Sequence, residues 1–458
     1  MEQPQQAQVG VIMVPFAAQG HLNQLLQLSC LIISSYKIPV YYVGSATHNR
    51  QAKSRINGLN PSDVEKIHFH DLPTPHFDSP PPNPKSSEKF PTQLQPAWNA
   101  LLNLRQPFAD FLKEMSLKLN RVVVINDPMM SVIVQDVASI SNAESYTFNC
   151  ISAYSHISFL YNHLKSTTHS IQFPKDLPSF DMPDEFNYMV GLQSEPSNHR
   201  SGDLHNTCRS IESPYLDILE HEEISGNRKN WAIGPIMPTK LSSSDNRHKC
   251  LEWLDKHDPK SVIYVSFGTT VSLEYEQINE LALGLEQSKV KFLWVLRDAD
   301  KGDVFDGKVR TIELPEGFEE RVKGIGMVNR DWAPQPQILA HKSTGGFLSH
   351  CGWNSCLESI TMGVPIAAWP MHSDQPANTA LVSDELKMGL VVREWKQRME
   401  MVKAKTIENV VRRLIGSEEG DGIRKRAEEV GDMVRRAAEE SGVSRAEMDS
   451  FFAYISRS

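Results

Sequence analysis

Short, uninterrupted apolar runs alternate along the chain with longer stretches in which apolar residues recur at helical spacing. Apolar runs of this length are typical of parallel strands that are covered on both faces. We interpret as strands residues 9–16, 39–44, 67–70, 121–127, 146–148, 261–267, 292–296, 346–348 and 391–392. Alternation of strands and helices predicts an α/β fold built on parallel sheets.

The longer stretches carry apolar residues every three or four positions, which is the spacing of a helix with one buried side. They are residues 22–32, 98–119, 153–164, 275–288, 353–360, 376–383, 403–440 and 448–455. Three other segments lack this periodicity and are rich in Pro, Gly or polar residues. We expect residues 73–96 and 168–201 to be irregular, and residues 298–308 to form an exposed loop.

Length and composition limit the kinds of protein that this chain can be. A chain of 458 residues exceeds one ordinary hydrophobic core, so we expect two domains of about 200 residues each. The chain has 40% apolar residues, 22% charged residues and a net charge of −9. Such a composition is typical of a soluble globular protein and argues against binding to nucleic acid.

The cysteines and the N-terminal residues indicate a compartment. Six cysteines are scattered, with no C-x-x-C pair and no histidine at metal-ligand spacing. The first residues lack the basic and long apolar regions of a signal peptide, and no run of about 18 apolar residues follows. We therefore expect a cytosolic protein that is not inserted in a membrane. We further expect a monomer. A metal pair at His68 and His70 remains an alternative to a structural role for these two residues.

Two polar residues follow predicted strands and are candidates for catalysis. His21 comes soon after residues 9–16, and Asp127 ends the run 121–127. Ligands of open α/β sheets bind beyond the carboxyl ends of the strands. Imidazole, with an ordinary pKa of about 6.5, can take a proton from an alcohol, and a nearby carboxylate would orient the ring and stabilise its charge. The alternatives are a structural role for His21 and a helix-capping role for Asp127.

A strand-turn-helix unit around residues 346–360 suits a phosphate ligand. A helix beginning near Trp353 presents free N–H groups, Gly352 permits close approach, and Asn354 and Ser355 add donors. Such a helix start could hold a diphosphate without a metal. Glu358, one turn further, could accept hydrogen bonds from ribose hydroxyls. The alternative is an ordinary strand-turn-helix unit of an α/β domain.

The stretch from Trp332 to Gln375 resembles, without a gap, the signature box of the plant family 1 UDP-sugar-dependent glycosyltransferases. The resemblance implies that Trp332 stacks on uracil, and that the backbone of Ala333 pairs with the base edge. It implies further UDP contacts through ribose-binding and phosphate-binding residues. These are Gln335 and Glu358 for the ribose, and Thr269, His350, Gly352, Asn354 and Ser355 for the phosphates.

The end of the same box implies the donor sugar. Trp353, Asp374 and Gln375 are the positions that the resemblance assigns to the sugar hydroxyls. A final Gln accompanies glucose donors in this family, so the implied donor is UDP-glucose. Trp353 stands where an Arg often marks users of UDP-glucuronic acid. Whether other donors such as UDP-xylose are used stays open.

The resemblance also implies an architecture called GT-B, in which two Rossmann-like parallel-sheet domains face each other across a cleft. We expect an acceptor-binding domain over residues 1–240 and a linker over residues 241–249. A domain that binds the UDP-sugar would follow over residues 250–440. Residues 441–458 are expected to form a last helix that packs back on the first domain.

Family resemblance implies inverting transfer of the sugar to an acceptor hydroxyl, with His21 as general base, Asp127 as its partner and no metal or other cofactor. Gln24 stands where the family commonly has Pro, and this feature is most similar to the zeatin O-glucosyltransferase branch. A zeatin-type cytokinin is therefore the first acceptor to consider, with phenolic, flavonoid or terpenoid hydroxyls as alternatives. A protein that binds sugar nucleotides without catalysis also stays open. Hydrolases and dehydrogenases are disfavoured, because the chain lacks G-x-S-x-G and has no G-x-G-x-x-G after its first strand.

Overall fold

A computed structural model describes residues 9–56, 58–86, 90–167, 171–174, 177–178, 182–237, 247–307 and 310–457. Two parallel β-sheets face each other across a cleft, and apolar clusters cover both faces of each sheet. This arrangement confirms the GT-B architecture expected from the sequence. Most of the expected linker, residues 241–246, lies outside the described residues.

The first sheet has seven strands and carries the first half of the cleft. The strands are β1 (Val9–Val14), β2 (Val40–Ser45), β3 (His68–Leu72), β4 (Arg121–Asn126), β5 (Ala143–Asn149), β6 (Gly202–His205) and β7 (Lys229–Ala232). Their order is β3-β2-β1-β4-β5-β6-β7, and all neighbouring strands are parallel. The direction of winding reverses between β1 and β4, where open α/β sheets form their ligand crevice.

The second sheet repeats this plan with six strands. They are β8 (Val262–Ser266), β9 (Lys291–Val295), β10 (Gly326–Asn329), β11 (Thr344–Ser349), β12 (Ile366–Ala368) and β13 (Gly389–Val391). Their order is β10-β9-β8-β11-β12-β13, again all parallel. Here the winding reverses between β8 and β11, so each domain has one crevice of this kind.

Helices connect the strands and cover both sheets. Those of the first domain are α1 (Gln19–Leu31), α2 (Ala46–Ser54), α3 (Pro61–Val64), α4 (Gln95–Leu101), α5 (Arg105–Lys118), α6 (Ser131–Val134), α7 (Ala153–Thr167), α8 (Asp184–Gly191), α9 (Arg209–Glu220) and α10 (Glu222–Ser225). The later ones are α11 (Lys249–Leu254), α12 (Tyr275–Ser288), α13 (Phe318–Arg321), α14 (Gln335–Leu339), α15 (Trp353–Met362), α16 (Gln375–Ala380), α17 (Ala404–Gly416), α18 (Glu418–Ala438) and α19 (Val443–Ile455). Within the part of the chain that is described, none of them is both long and apolar enough to cross a membrane.

Three expectations from the sequence were wrong. Residues 73–96 were expected to be irregular, but their last part forms a 3-10 turn (Thr92–Leu94) and the buried start of α4. Residues 168–201, expected to be irregular, contain helix α8, which begins after Pro183 and buries Met189. Residues 298–307 are not an exposed loop, because Asp298 and Asp300 are buried. Asp300 forms a two-pronged ion pair with Arg55 of the first domain, with N–O distances of 2.5 and 3.0 Å. This segment therefore belongs to the contact between the domains.

The domains also share an apolar cluster, which limits their freedom to move apart. It joins Tyr154 and Ile157 of α7 to Trp353 and Leu357 of α15. At the end of the chain, α19 leaves the second domain and packs on the first sheet. Phe451 contributes to that packing, with its ring centroid 5.2 Å from that of Trp231 and 5.1 Å from that of Tyr146. An apolar contact of this kind favours a fixed relative position of two domains.

Candidate active site in the cleft

His21 and Asp127 meet at the carboxyl ends of β1 and β4. Nδ1 of His21, in the first turn of α1, lies 2.6 Å from Oδ2 of Asp127, which follows β4. The other oxygen of Asp127 accepts the backbone N–H of Met129 at 2.9 Å. Asp127 therefore serves both roles that the sequence left open, as a cap and as a partner of His21. Since the carboxylate accepts from Nδ1–H, the ring keeps its lone pair on Nε2.

Charge near His21 favours its protonated form. Burial alone would lower the pKa of the imidazole, but the charge and hydrogen bond of Asp127, with a further contribution from Asp374, raise the pKa above 6.5. Asp127 is fully buried, whereas the side chain of His21 is 28% exposed. The imidazole is thus both accessible from the cleft and a stronger base than free histidine, which suits proton abstraction from an alcohol.

A cavity of about 790 Å³ extends from His21 between the two domains. On the first-domain side its wall is aromatic. Phe16 contacts Trp98 at a ring centroid distance of 5.2 Å, Trp98 contacts Phe186 at 5.4 Å, and Phe90 contacts Phe186 at 4.8 Å. The indole N–H of Trp98 donates to the carbonyl of Ala17 at 3.0 Å, which fixes its ring. Such a wall suits a flat apolar molecule.

Facing His21 across the cavity is the start of α15. Gly352 is its N-cap residue and has no side chain that could cap the helix. Nδ2 of Asn354 donates to the carbonyl of Gly20 at 2.9 Å, so the helix start is linked to the residue before His21. The side chains of Asn354 and Ser355 line the cavity beside Thr269. Free N–H groups at a helix start attract an anionic group.

His350 lies behind this helix start, and its ring packs against Gly268 and Gly352, where a larger residue would clash with it. A Cβ on Gly352 would come within 2.6 Å of His350 Nε2, and a Cβ on Gly268 would also clash with the ring. Burial lowers the pKa of His350 to about 4, so its ring is neutral at ordinary pH. The Nδ1 atom is buried without a partner among the described residues. His350 can therefore offer a hydrogen bond to a phosphate, but no positive charge.

Gln335 and Glu358 form a polar pair beside the expected phosphate position. Nε2 of Gln335 donates to Oε2 of Glu358 at 2.8 Å and to Oγ of Ser355 at 3.0 Å. Burial raises the pKa of Glu358 to about 7, and the hydrogen bond from Gln335 partly opposes that change. A pair of ribose hydroxyls donating to the carboxylate would stabilise its charged form.

Trp332, the expected uracil platform, is held between the domains. Arg55 of the first domain lies over its ring at 4.7 Å and Arg297 at 5.2 Å. The carbonyl of the next residue, Ala333, accepts the backbone N–H of Gln335 at 2.9 Å. Cations over the indole ring strengthen its position by cation–π attraction.

The three expected sugar-binding residues lie together at the cavity, each with partners of its own. The indole N–H of Trp353 donates to the carbonyl of Asn206 at 2.8 Å, so this group is already engaged. Oε1 of Gln375 accepts the backbone N–H groups of Met371 and His372 at 2.9 and 3.1 Å. The amide N–H₂ of Gln375 makes only long contacts of 3.4 and 3.5 Å with the ring nitrogens of His372, so it can still donate to a ligand. Burial raises the pKa of Asp374, against a hydrogen bond from Asn378.

Gln24, where the sequence departs from the family pattern, is buried, and both ends of its amide group are hydrogen-bonded. Its amide donates to the carbonyl of Cys150 at 2.9 Å, and its Oε1 accepts from Asn206 at 2.6 Å. Asn206 in turn receives the indole N–H of Trp353. The helix that carries His21 is thereby linked to the second domain.

Several lining residues were not predicted from the sequence. Phe90, Trp98 and Phe186 belong to segments read as irregular or ordinary helix, and no local motif identifies them. The same holds for Asn378, which does not line the cavity but donates to Asp374. Only their clustering in space relates them to the cavity.

One group of possible metal ligands lies beside the cleft. Among the described residues, His21, Asp127 and Cys150 place one ligand atom each within 4.8 Å of one another. Burial raises the pKa of the Cys150 thiol well above its usual range, which disfavours the thiolate that a metal would need. His68 and His70, the other metal candidates, stack on Tyr41 and Phe111 with centroid distances of 5.0 and 4.2 Å.

Similarity to characterised proteins extends over the whole chain. Residues 7–238 match the family described as "Glycosyltransferase, N-terminal domain", and residues 239–419 match "UDP-glucoronosyl and UDP-glucosyl transferase". The zeatin O-glucosyltransferase of Phaseolus lunatus is 51% identical, with 99% of this chain and 98% of the relative aligned. The zeatin O-xylosyltransferase of Phaseolus vulgaris is 50% identical over 99% of each chain.

Solved structures show the same architecture. A complex of a Polygonum tinctorium UDP-glucosyltransferase, described as capable of glucosylating indoxyl, with 3,4-dichloroaniline superposes with a TM-score of 0.77. The identity is 26%, and 99% of each chain is covered.

Proposed function

The chain belongs to the plant family 1 UDP-dependent glycosyltransferases, and on that premise we propose that it transfers glucose from UDP-glucose to the side-chain hydroxyl of a zeatin-type cytokinin. The observation that carries the proposal is the contact between the two half-sites. The carbonyl of Gly20, next to the base candidate His21, accepts from Asn354 at the start of α15. A nucleotide-sugar held at that helix start would present its sugar close to the imidazole.

In the proposed reaction, Nε2 of His21 takes the proton of the acceptor hydroxyl. The acceptor oxygen forms a bond to the anomeric carbon while the bond from that carbon to the UDP oxygen breaks. Asp127, at 2.6 Å, stabilises the imidazolium that results. A single displacement inverts the anomeric centre, so an α-linked donor gives a β-O-glucoside. The proton returns to solvent after the product leaves.

The departing UDP gains negative charge, and the proposal assigns its stabilisation to protein groups. These are the free N–H groups at the start of α15, the hydroxyls of Ser355 and Thr269, and an N–H of neutral His350. Donors fixed in place before the reaction stabilise developing charge without reorganisation. No metal or other cofactor is part of the proposal.

Two features support a flat acceptor with an alcohol side chain. The aromatic wall of Phe90, Trp98 and Phe186 suits a planar ring, and Phe16 continues it to the His21 ring at a centroid distance of 5.5 Å. The relatives of about 50% identity are named for zeatin, whose purine is planar and whose side chain ends in a hydroxyl. Flavonoids and other phenols are also planar, so they are the alternative acceptors, with terpenoid alcohols after them.

The donor sugar is proposed from Gln375 and Asp374, since an amide and a carboxylate can bind neighbouring hydroxyls of glucose. One relative is named as a glucosyltransferase and the other as a xylosyltransferase, so UDP-xylose is the second candidate.

A panel that combines three sugar donors with four acceptors tests the proposal. The purified protein is incubated with UDP-glucose, UDP-xylose or UDP-galactose, each with trans-zeatin, cis-zeatin, a flavonol and a terpenoid alcohol, and products are identified by mass and by the anomeric proton coupling. We expect a β-O-glucoside of a zeatin. Isopentenyladenine, which differs from zeatin by lacking the hydroxyl, is the matched acceptor control and should give no product. A faster reaction with UDP-xylose would replace the donor assignment, and absence of any product would overturn the proposal.

A further inference from the structure

A buried polar cluster joins the domains beside the proposed sugar site. The hydroxyl oxygens of Ser152 and Ser155, at the start of α7 in the first domain, each lie 2.8 Å from Oδ1 of Asn378 in α16. Nδ2 of Asn378 donates to Oδ2 of Asp374 at 2.8 Å and to the carbonyl of Cys351 at 2.9 Å. Ser152, Ser155 and Asn378 are all 0% exposed.

The orientation of this carboxamide follows from its partners. A backbone carbonyl and a carboxylate can only accept, so both must face the N–H₂ of Asn378. The serine hydroxyls can rotate and donate to the opposite side. The two serine oxygens also lie 2.7 Å apart, so one hydroxyl can donate to the other while that one donates to Oδ1 of Asn378. Both ends of the carboxamide are then hydrogen-bonded, the N–H₂ within the second domain and the oxygen to the first domain. A buried and fully satisfied group of this kind fixes the geometry of everything it contacts.

Both loops that Asn378 contacts contain a residue in the left-handed region. Cys351 has a φ of 64° and directly precedes the N-cap of α15, and Ser373 has a φ of 55° and directly precedes Asp374. Residues with a side chain adopt this conformation only when their surroundings impose it, and such positions cluster at functional sites. Asn378 therefore binds one loop that presents the phosphate-binding helix and another that presents the carboxylate assigned to the sugar.

We infer that Asn378 is a positioning residue which holds Asp374 in place for the donor sugar and, through Ser152 and Ser155, makes that placement depend on contact with the acceptor domain. The inference rests on the proposed function, because it takes from it the role of Asp374. Asn378 does not touch the reacting atoms. It acts through Asp374 and the loop at Cys351.

The test compares ligands with and without the sugar. Calorimetry measures Kd for UDP-glucose and for UDP with the wild type, Asn378→Ala and the double variant Ser152→Ala/Ser155→Ala. For Asn378→Ala we expect the affinity for UDP-glucose, relative to UDP, to fall roughly tenfold, which is the scale of one hydrogen bond to a charged group. The double serine variant, altered only in the other domain, should lower the same ratio by about threefold.

A matched control separates positioning from stability. Gln277 is also a buried carboxamide of the second domain and bonds the backbone of Val402 as donor and acceptor, at 2.8 and 2.9 Å. Gln277→Ala should lower Tm without changing the ratio of the two affinities. An unchanged ratio in Asn378→Ala, or the same change in Gln277→Ala, overturns the inference. If Asn378→Ala does not fold, the double serine variant alone tests the inference. An unchanged ratio of the affinities for UDP-glucose and UDP in that variant would overturn it.

Measurements on the wild-type protein show whether the inference about Asn378 or the proposed function has failed. If the wild type forms glucoside and the ratio does not move in the variants, only the inference fails. If the wild type neither binds UDP-glucose nor forms product, the proposed function fails and the inference fails with it.

Discussion

Asp127 holds His21 with one carboxylate oxygen and the backbone of Met129 with the other. The distance from His21 Nδ1 to Oδ2 is 2.6 Å, and that from the Met129 nitrogen to Oδ1 is 2.9 Å. One side chain therefore shapes the turn after β4 and orients the imidazole. The two contacts can be separated by mutation, because an amide can still accept the Met129 N–H while it cannot stabilise an imidazolium.

Asp127→Asn should reduce turnover by roughly 10²- to 10⁴-fold, the usual contribution of a general base and its partner. The charge of Asp127 raises the pKa of His21, and the base must be neutral to act. In the wild type, kcat/KM should therefore rise with pH through a pKa above 6.5. In the variant the acid limb should move to lower pH, and pH–rate profiles measure both effects.

The control for this prediction is a cap without a catalytic neighbour. Asn60 caps α3 by accepting the backbone N–H of Ser62 at 3.1 Å. Asn60→Ala should cost about 1 kcal/mol of stability and leave turnover unchanged. If Asp127→Asn also leaves turnover unchanged, Asp127 is a cap and nothing more.

Glu358→Gln should remove a pH dependence from nucleotide binding. Burial raises the pKa of Glu358 to about 7 in the free protein, and ribose hydroxyls that donate to the carboxylate would lower it in the complex. Binding of UDP to the wild type should therefore release protons near pH 7 and weaken as pH falls. Calorimetry in two buffers of different ionisation enthalpy measures this release. Equal proton release in Glu358→Gln would contradict the ribose assignment.

Phe186→Ala should raise the KM for the acceptor by up to about tenfold while the Kd of UDP stays unchanged, because one edge of the aromatic wall is lost. Tyr188, on the same helix α8, is 69% exposed and serves as the matched control. Tyr188→Ala should leave the acceptor KM as it is. A similar change in both variants would mean that α8 contributes only to stability.

Dialysis against EDTA should leave the rate of transfer unchanged. The leaving group is assigned to helix N–H groups, hydroxyls and a neutral imidazole, and none of these needs a cation. The alternative is a metal bound by His21, Asp127 and Cys150, whose ligand atoms lie within 4.8 Å of one another. Loss of turnover on dialysis, restored by added zinc or magnesium, would favour that alternative.

Much of the fold could be predicted from the sequence where the signal is local. The cores of β1, β4, β8 and β11 are fully apolar runs, and the positions of His21 and Asp127 follow from where two of them end. Because carboxyl ends of neighbouring parallel strands share one edge of a sheet, the two residues could be expected to meet.

Other parts depended on contacts between distant residues. Strand β6 (sequence GDLH) has no apolar run. Its polar residues Asp203 and His205 can be buried because they form hydrogen bonds with Arg200 at 2.6 Å and Asn230 at 2.9 Å. A buried strand whose polar residues are hydrogen-bonded has the same composition as a loop, so the sequence alone does not reveal it. The segment at Asp300 likewise looked exposed because its partner, Arg55, lies 245 positions away.

The return of α19 to the first sheet has a consequence for protein engineering. The rings of Phe451 and Trp231 are in contact, and Glu447 pairs with Arg209 at 2.5 Å, so the last helix completes the packing of the first domain. A chimaera that exchanges acceptor halves between relatives would join mismatched surfaces if the splice were made only once, in the middle of the chain. The exchange should carry both the N-terminal half and the closing helix from the same parent.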